Sequence, residues 1–255
     1  MLAGVDDGPE QTEESVGMAR AAVAAGIRIL TATPHVNHRY PNDAARIDSR
    51  VRELDARLKA EGVALELRPG AEVSLGRALE TEAEELQRLT LGGGPWLLLE
   101  PPFGASVGRV DVLVGEVRAR QPHIVLAHPE RCQAFHRDPR MLRSLVDDGV
   151  LTSVTAGSLV GRFGETVRRF ALTLLGEGLV HNVASDAHDR YARPPGIAAA
   201  LGQAGADALA EWLTVGVPAA ILDGGEIPAR PDVALPRTRG GRAHPWFKGR
   251  LSRAR

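Results

Sequence analysis

The chain has 255 residues, of which 44% are hydrophobic and 25% are charged, and its formal net charge is -1. This composition is ordinary for a globular protein with a sizeable core, and it excludes a chain that is disordered throughout. The charge is uneven, since residues 229–255 carry eight Lys or Arg against one Asp. The mildly acidic body, residues 1–228, argues against a nucleic-acid-binding protein.

The sequence contains a single cysteine, Cys132, which excludes an internal disulfide and a thiolate zinc cage. The first residues lack the basic and apolar regions of a signal peptide, and no run of about 18 apolar residues occurs. We therefore expect a cytoplasmic protein without a transmembrane segment.

Short apolar runs alternate with longer amphipathic patterns along the chain. Strands are predicted, in chain order, over residues 27–35, 64–72, 95–100, 123–130, 150–158 and 179–188. Helices are predicted near residues 12–26, 43–62, 138–149 and 164–178. The repeated strand-then-helix order predicts an α/β fold with a parallel sheet, and the number of units favours a barrel over an open sheet.

Most of the predicted strands end in a side chain that can bind a metal or form a hydrogen bond. These residues are His35, Glu72, Glu100, His128, Ser158, Asp186 and His188. In a β/α barrel the carboxyl ends of the strands meet at one rim, where active sites are built. Any one of these residues alone is more typical of a loop or a helix cap, but together they predict a shared cleft.

Asp186 and His188 are the most informative of these residues. In an extended segment residues i and i+2 point the same way, so we expect this carboxylate and imidazole side by side, as ligands of neighbouring metal ions. A mixture of imidazoles and carboxylates without thiolates favours Mn, Fe or Zn in a partly open catalytic site. A carboxylate such as Glu72 can bridge two ions, as in two-metal hydrolases of phosphate esters.

Six segments together resemble, in order, the motifs of the polymerase-and-histidinol-phosphatase (PHP) superfamily. They read "GVDDGPEQTEESVGMARAAVAAGI…TATPH", "RPGAEV", "LLLEPPF", "VLAHPERC", "VTAGSLVGRFGE" and "VASDAHDRYARPP". They are most similar to the branch of manganese-dependent bacterial protein-tyrosine phosphatases of the CpsB/YwqE type, which is linked to capsule and exopolysaccharide synthesis. The resemblance implies a PHP-type distorted (β/α)7 TIM-like barrel over residues 1–228, followed by a basic, disordered tail at 229–255.

The resemblance implies three metal positions, with two or three manganese ions and Fe or Zn as alternatives. One position uses Asp7, His35 and His188, and a second uses Glu72, Glu100 and His128. The third uses Glu72, Asp186 and two histidines from an H-x-H pattern on the family's first strand.

That H-x-H pattern is not in this sequence, which reads "MLAGVDDGP" where the family has a strand of the form x-D-x-H-x-H before this motif. The first strand of the barrel is therefore expected to be absent from the chain as written. A start codon assigned too far downstream is the favoured explanation, with a truncation or a genuine loss of the site as the others.

The family chemistry is hydrolysis of a phosphomonoester by a metal-bound hydroxide. Arg131 and Arg193 match the positions of the family's phosphate-holding arginines, and a guanidinium fork suits phosphate oxygens. The implied partner is a tyrosine-phosphorylated protein, namely a bacterial tyrosine kinase of polysaccharide export. A cysteine-based mechanism is rejected, because four residues rather than five separate Cys132 from Arg137.

Two alternatives stay open at this point. Another PHP phosphoesterase, for example one acting on a histidinol-phosphate-like substrate, would have a similar metal site. A chain without the H-x-H ligands can also be a non-catalytic regulator that binds phosphoproteins.

Overall fold

The computed structural model describes residues 1–104, 108–233 and 235. Its elements alternate between short parallel strands and helices, as the sequence predicts for an α/β protein. The eight strands are β1 (Ile29–Ala32), β2 (His35–Val36), β3 (Glu66–Pro69), β4 (Glu72–Ser74), β5 (Leu97–Glu100), β6 (Ile124–Ala127), β7 (Leu151–Thr155) and β8 (Asn182–Ala184).

Helices connect the strands. They are α1 (Thr12–Ala24), α2 (Ala44–Ala60), α3 (Leu75–Glu80), α4 (Ala83–Arg88), α5 (Val110–Arg118), α6 (Gln133–Arg137), α7 (Pro139–Asp147), α8 (Ala156–Leu159), α9 (Glu165–Gly176), α10 (Ala198–Ala204) and α11 (Val217–Asp223). Short 3-10 turns lie at Leu91–Gly93, Pro129–Arg131 and Asp207–Leu209, and a π-helical segment spans Trp212–Gly216. No helix among the described residues is both long and apolar enough to cross a membrane.

All strand pairs in the described part of the chain are parallel. Six strands form one sheet in the order β2-β4-β5-β6-β7-β8, and β1 pairs with β3 in a second, two-stranded sheet. Within the described residues, β8 and β1 each have one hydrogen-bonded neighbour, so these ladders do not close into a ring. The parallel α/β class is confirmed, and closure of a barrel stays a prediction.

Two of the predicted strands are each divided in two. Residues 27–35 form β1 and the start of β2, because Pro34 has no N–H to donate to a ladder and interrupts the pairing. Residues 64–72 form β3 and the start of β4. The break includes Gly70, where a Cβ would lie 2.9 Å from the Thr31 side chain, so only glycine allows the two strands to approach so closely.

The four predicted helices correspond to α1, α2, α7 and α9. The hydrophobic core lies between these helices and the central strands, whose residues in β6 and β7 are buried at every position. Strands buried on both faces show continuous apolar runs instead of alternation, and "IVLA" in β6 is such a run. This core holds the ends of neighbouring strands together at one rim of the sheet.

The segment after α11 packs back on the core. The indole Nε1 of Trp212 donates to the carbonyl of Pro228 at 2.8 Å, and Val233 and Leu235 lie against core residues. The predicted domain boundary at residue 228 stays a prediction. The greater part of the predicted basic tail, residue 234 and residues 236–255, lies outside the described residues.

Candidate active site

The structure brings all nine predicted site residues to one rim of the sheet. An unbroken series of polar contacts, each of 4.0 Å or less, joins them. Arg131 and Arg193 both contact Asp186, and from there the contacts run in order through His188, Asp7, His35, Glu100, His128 and Glu72. A cleft of about 150 Å³ opens beside several of them, between the starts of β2 and β4, the end of β6 and the loop after β8.

Asp7, His35 and His188 form the first group of candidate metal ligands. Oδ1 of Asp7 lies 3.5 Å from Nε2 of His35 and 3.5 Å from Nε2 of His188. The donor atoms of the three residues all lie within 4.8 Å of one another. This spacing suits a single ion bound by one carboxylate and two imidazoles, and the trio is the one that the family resemblance implies.

His35, Glu72 and Glu100 form a second group, again with all donor atoms within 4.8 Å. The resemblance places His128 in this position beside the two carboxylates. His128 is also adjacent, since its Nε2 lies 2.7 Å from Glu72 Oε1 and 3.8 Å from Glu100 Oε1. His35 thus faces both groups, with Nε2 toward Asp7 and Nδ1 toward Glu100 at 4.0 Å.

Burial and mutual charge shift the pKa values of the second group. Burial opposes ionisation of Glu72, but the hydrogen bond from His128 and nearby imidazoles outweigh it and lower the pKa of this carboxyl. Burial also opposes the charged form of His128, yet the bond to Glu72 raises its pKa above the ordinary value. Burial, followed by the charge of Glu72, raises the pKa of Glu100. Opposed shifts of neighbouring groups are typical of functional sites.

Two imidazole nitrogens in this cluster have no hydrogen-bond partner. Nδ1 of His35 and Nδ1 of His128 are both buried, and no partner lies within reach among the described residues. Buried polar atoms are nearly always paired with protein, water or an ion. The orphaned Nδ1 of His35 lies 4.0 Å from Glu100, and since a neutral imidazole has a single lone pair, His35 donates it to an ion in one of the two ligand groups while the other nitrogen carries the proton.

Asp186 lies at the other side of the cleft and outside both ligand groups. Its Oδ2 accepts hydrogen bonds from Nη1 of Arg131 at 3.3 Å and from Nη2 of Arg193 at 2.5 Å. The expectation that Asp186 and His188 lie in an extended segment is wrong, because β8 ends at Ala184 and Asp186 has a left-handed φ of 50°. The imidazole Nδ1 of His188 nevertheless lies 3.8 Å from Oδ1 of Asp186.

His128 also has a positive φ, of 31°, and with Asp186 it is one of two such non-glycine residues among those described. Left-handed backbone is unfavourable for residues with a side chain and persists where the surrounding structure enforces it. Both exceptions fall within the candidate site, directly after β6 and shortly after β8.

Residues that the sequence analysis did not select hold His35 in place. The carboxylate of Asp6 accepts a hydrogen bond from the backbone N–H of His35 at 2.9 Å. The side-chain amide of Asn42 donates to the carbonyls of Val5 and His35, at 3.1 and 2.8 Å. The Asp6-Asp7 pair in "VDDGP" was the available signal, since Asp7 supplies a carboxylate to the first ligand group and Asp6 one to the backbone of His35.

Glu130 is a further residue that the sequence analysis missed. It is completely buried, and its Oε1 accepts hydrogen bonds from the Ser158 hydroxyl at 2.6 Å and from the Thr155 N–H at 3.0 Å. It therefore links the turn after β6 to the start of α8, and burial raises its pKa. Ser158 serves this link and does not line the cleft, in contrast to its prediction as a rim residue.

Two phenyl rings enclose the guanidinium of Arg131. Its Cζ lies 4.4 Å from the ring centroid of Phe103 and 4.4 Å from that of Phe163. Phe103 stacks in addition on His128, with a centroid separation of 5.2 Å. The sequence offered no signal for these contacts, because both rings come from loops distant from Arg131 along the chain.

Cys132 is buried, as expected of an incidental thiol. Its side chain has no exposed surface, and burial raises its pKa. A nucleophilic cysteine requires a lowered pKa and access to solvent, so these properties agree with rejection of a cysteine-based mechanism.

Comparisons with known proteins agree with the geometry. Residues 1–210 match the model of the family "Capsular polysaccharide synthesis, CpsB/CapC". The chain is 36% identical over 190 residues to tyrosine-protein phosphatase YwqE of Bacillus subtilis (strain 168), covering 74% of this chain and 75% of that protein. It is 28% identical over 200 residues to tyrosine-protein phosphatase CpsB of Streptococcus pneumoniae, covering 75% and 81%.

A solved structure also matches this chain. It comes from the crystallographic work on YwqE from Bacillus subtilis and CpsB from Streptococcus pneumoniae, described as unique metal-dependent tyrosine phosphatases. The match has a TM-score of 0.76 at 30% sequence identity and covers 93% of this chain and 97% of that one. On the family match, the sequence identity and the shared fold, the chain belongs to the CpsB/CapC family of capsular polysaccharide synthesis.

Proposed function

We propose that this chain is a metal-dependent protein-tyrosine phosphatase that acts in the regulation of capsular or exopolysaccharide synthesis. The observation that carries the proposal is the convergence of carboxylates and imidazoles from six separate chain segments on one cleft, with two arginines at its border. The naming of relatives such as YwqE and CpsB as tyrosine-protein phosphatases supports the choice of substrate class.

The proposed metal ligands are the carboxylates and imidazoles of this network, namely Asp7, His35, Glu72, Glu100, His128, Asp186 and His188. We propose manganese as the metal, in two or three positions, with Fe or Zn as alternatives that the same donor set accepts. When bound, such ions lower the pKa of water toward neutrality and neutralise charge on phosphoryl oxygens.

Arg131 and Arg193 bind and orient the phosphoryl group in this proposal. Each guanidinium has five N–H donors, so the hydrogen bond that each makes to Asp186 leaves further donors for phosphate oxygens. Asp186 holds both guanidinium groups on the same side of the cleft. Two guanidinium groups that approach from one side bind a tetrahedral oxyanion without reorganisation.

Tyrosine phosphate suits a site without a dedicated general acid. The phenolate leaving group has a conjugate-acid pKa of about 10, so its departure requires less protonation than that of a serine alkoxide. Positioning by the arginines and charge neutralisation then supply the main part of the catalysis.

The proposed partner is a tyrosine-phosphorylated bacterial kinase of polysaccharide export, and the proposed location is the cytoplasm. The membership in a capsule-synthesis family supports the partner. The single cysteine, buried and unpaired, supports a reducing compartment.

The test is hydrolysis of a phosphotyrosine peptide by the purified chain with added Mn, before and after chelation. We expect turnover with Mn, none after chelation, and slower release of phosphate from a matched phosphoserine peptide and from histidinol phosphate. Cys132→Ala is the matched control and should retain the activity. Faster hydrolysis of histidinol phosphate would instead identify another phosphoesterase, and binding of the peptide without turnover would identify a non-catalytic regulator.

A further inference from the structure

A second cleft lies directly beside the candidate active site. Its volume is about 390 Å³, and Thr155 and Ser185 line both clefts. Arg193 lines the second cleft, and its Nη2 donates to Asp186, which lines the active-site cleft. The two clefts are therefore neighbours that share a wall, and the contact of Arg193 with Asp186 joins them.

Gly157 forms part of the floor of this second cleft. A Cβ at this position would lie 3.1 Å from Cδ of Arg162 and 3.3 Å from Cε2 of Phe163. Glycine thus allows both side chains to lie flat against the backbone at the start of α8. On the opposite side the cleft is bounded by small residues at the start of α10, Ala198 to Ala200, which leave the space between the walls open.

The cleft is positively charged. Its lining includes Arg162 and Arg193, and no Asp or Glu occurs among the described residues that line it. Arg162 is exposed, and it makes no ion pair with a carboxylate in the part of the chain that the structure describes. An exposed guanidinium without a carboxylate partner attracts an anionic group, and a concave wall strengthens this attraction.

The remaining walls of the cleft are apolar. Val160, Phe163, Pro194 and Ile197 contribute hydrophobic surface around the two arginines. Such a combination suits a side chain with a methylene stem and a carboxylate head, because the stem packs on the apolar wall while the head reaches the guanidinium.

We propose that this second cleft binds an acidic side chain of the peptide that carries the phosphotyrosine. The inference rests on the proposed phosphatase function. A peptide whose phosphate binds Arg193 has its neighbouring residues within reach of the second cleft, because Arg193 lines that cleft and its Nη2 contacts Asp186 of the active-site cleft. Arg162 is then a residue that determines substrate specificity without contact with the reacting phosphoryl group.

The test compares three phosphotyrosine peptides that differ only in having Glu, Gln or Lys beside the phosphotyrosine, with free phosphotyrosine as a fourth substrate. For the wild-type chain loaded with Mn, we expect the Glu peptide to have a KM about two- to fivefold lower than the Gln peptide, the range typical of one accessible ion pair. Arg162→Glu should reverse the order in favour of the Lys peptide and leave the KM and kcat for free phosphotyrosine unchanged.

The matched control is Arg169→Glu, which makes the same charge change at an exposed arginine of α9 that does not line the cleft. It should keep the wild-type order of the peptides. The proposal is overturned if Arg162→Glu keeps that order too, or if it impairs free phosphotyrosine as much as the peptides.

If the chain is not a phosphatase, the outcome differs from failure of the second-cleft proposal. If the wild-type chain hydrolyses none of the four substrates, binding of the three peptides is measured directly by calorimetry. A preference for the Glu peptide that Arg162→Glu abolishes supports the cleft as an acidic-peptide site, and equal binding of all three peptides overturns it.

Discussion

The guanidinium of Arg131 lies between the rings of Phe103 and Phe163, 4.4 Å from each centroid, while its Nη1 donates to Asp186. A cation over an aromatic face gains about 0.5 to 2 kcal/mol, depending on its exposure to water. The two rings therefore hold the plane of the guanidinium in a fixed orientation at the border of the cleft.

Removal of one ring should weaken phosphate binding. We expect Phe163→Leu to raise the KM for free phosphotyrosine about fivefold, corresponding to about 1 kcal/mol, with a smaller change in kcat. Phe163→Tyr keeps an aromatic face and should restore the wild-type KM. Phe170→Leu is the control, since the ring of Phe170 packs against His136 instead, with centroids 4.3 Å apart. An unchanged KM in Phe163→Leu would contradict this role of the stack.

Arg193 should not tolerate replacement by lysine. The Arg193→Lys variant keeps the positive charge but loses the planar fork that holds Asp186 and phosphate at once, so kcat/KM should fall about tenfold or more. The bound metal, measured by elemental analysis, should stay at the wild-type level. Loss of metal together with activity would show that Arg193 acts by supporting the metal ligands.

Sequence patterns predicted the candidate site better than they predicted the strands that carry it. His35 and Glu72 were expected to end long strands, yet both begin short second strands, because Pro34 and the close approach at Gly70 interrupt the ladders. The two residues still lie together, because each lies three residues after the carboxyl end of β1 or β3, and these two strands pair in parallel.

Contacts between distant segments could not be predicted in this way. Periodicity reports which face of an element is apolar, and it contains no information on which loop residues meet. The stack of Phe103 and Phe163 on Arg131 and the link from Glu130 to Ser158 depend on tertiary packing. Asp186 lines the cleft, but not in the extended geometry that was expected, because its left-handed φ is a local exception that a strand pattern does not show. Its role as a metal ligand stays a prediction.

Adding the H-x-H strand that the family resemblance implies should strengthen metal binding. The outer edges of β1 and β8 have no strand neighbour within the described residues, and the active-site cleft lies between Leu30 and Ala184 at these edges. A chain extended upstream by a strand of the form M-x-D-x-H-x-H should bind more Mn at a given free concentration, since two imidazoles are added to the ligand set. The control is the same extension with both histidines of the H-x-H pattern replaced by asparagine. Equal Mn binding by the two extended chains would contradict the expectation.

The stability of the protein should decrease in mild acid because of His181. This imidazole accepts a hydrogen bond from the Thr152 N–H at 3.2 Å, and burial lowers its pKa from 6.5 to about 4. Between these values the unfolded chain binds a proton that the folded chain excludes, so the free energy of unfolding falls as the pH decreases from about 6.5 to about 4. The contribution of this residue to that loss is about 2 to 3 kcal/mol.

Replacement of His181 isolates this effect. His181→Gln cannot be protonated, so its denaturant-derived free energy of unfolding should change less between pH 7 and pH 4.5 than that of the wild-type chain. The control is His38→Gln, at an exposed histidine that pairs with Glu80 at 2.9 Å. Parallel pH profiles for wild-type and His181→Gln chains would contradict the assignment.

We expect the carboxylate and imidazole network to bind the metal on which phosphotyrosine hydrolysis depends. The most direct measurement counts bound Mn and phosphotyrosine turnover in the same preparations of the wild-type chain and of His35→Ala, the residue that faces both ligand groups. We predict that His35→Ala loses metal and turnover together, with turnover at least about a hundredfold lower, as expected for removal of a direct ligand. Undiminished turnover in His35→Ala, or in metal-free wild-type protein, would contradict the account.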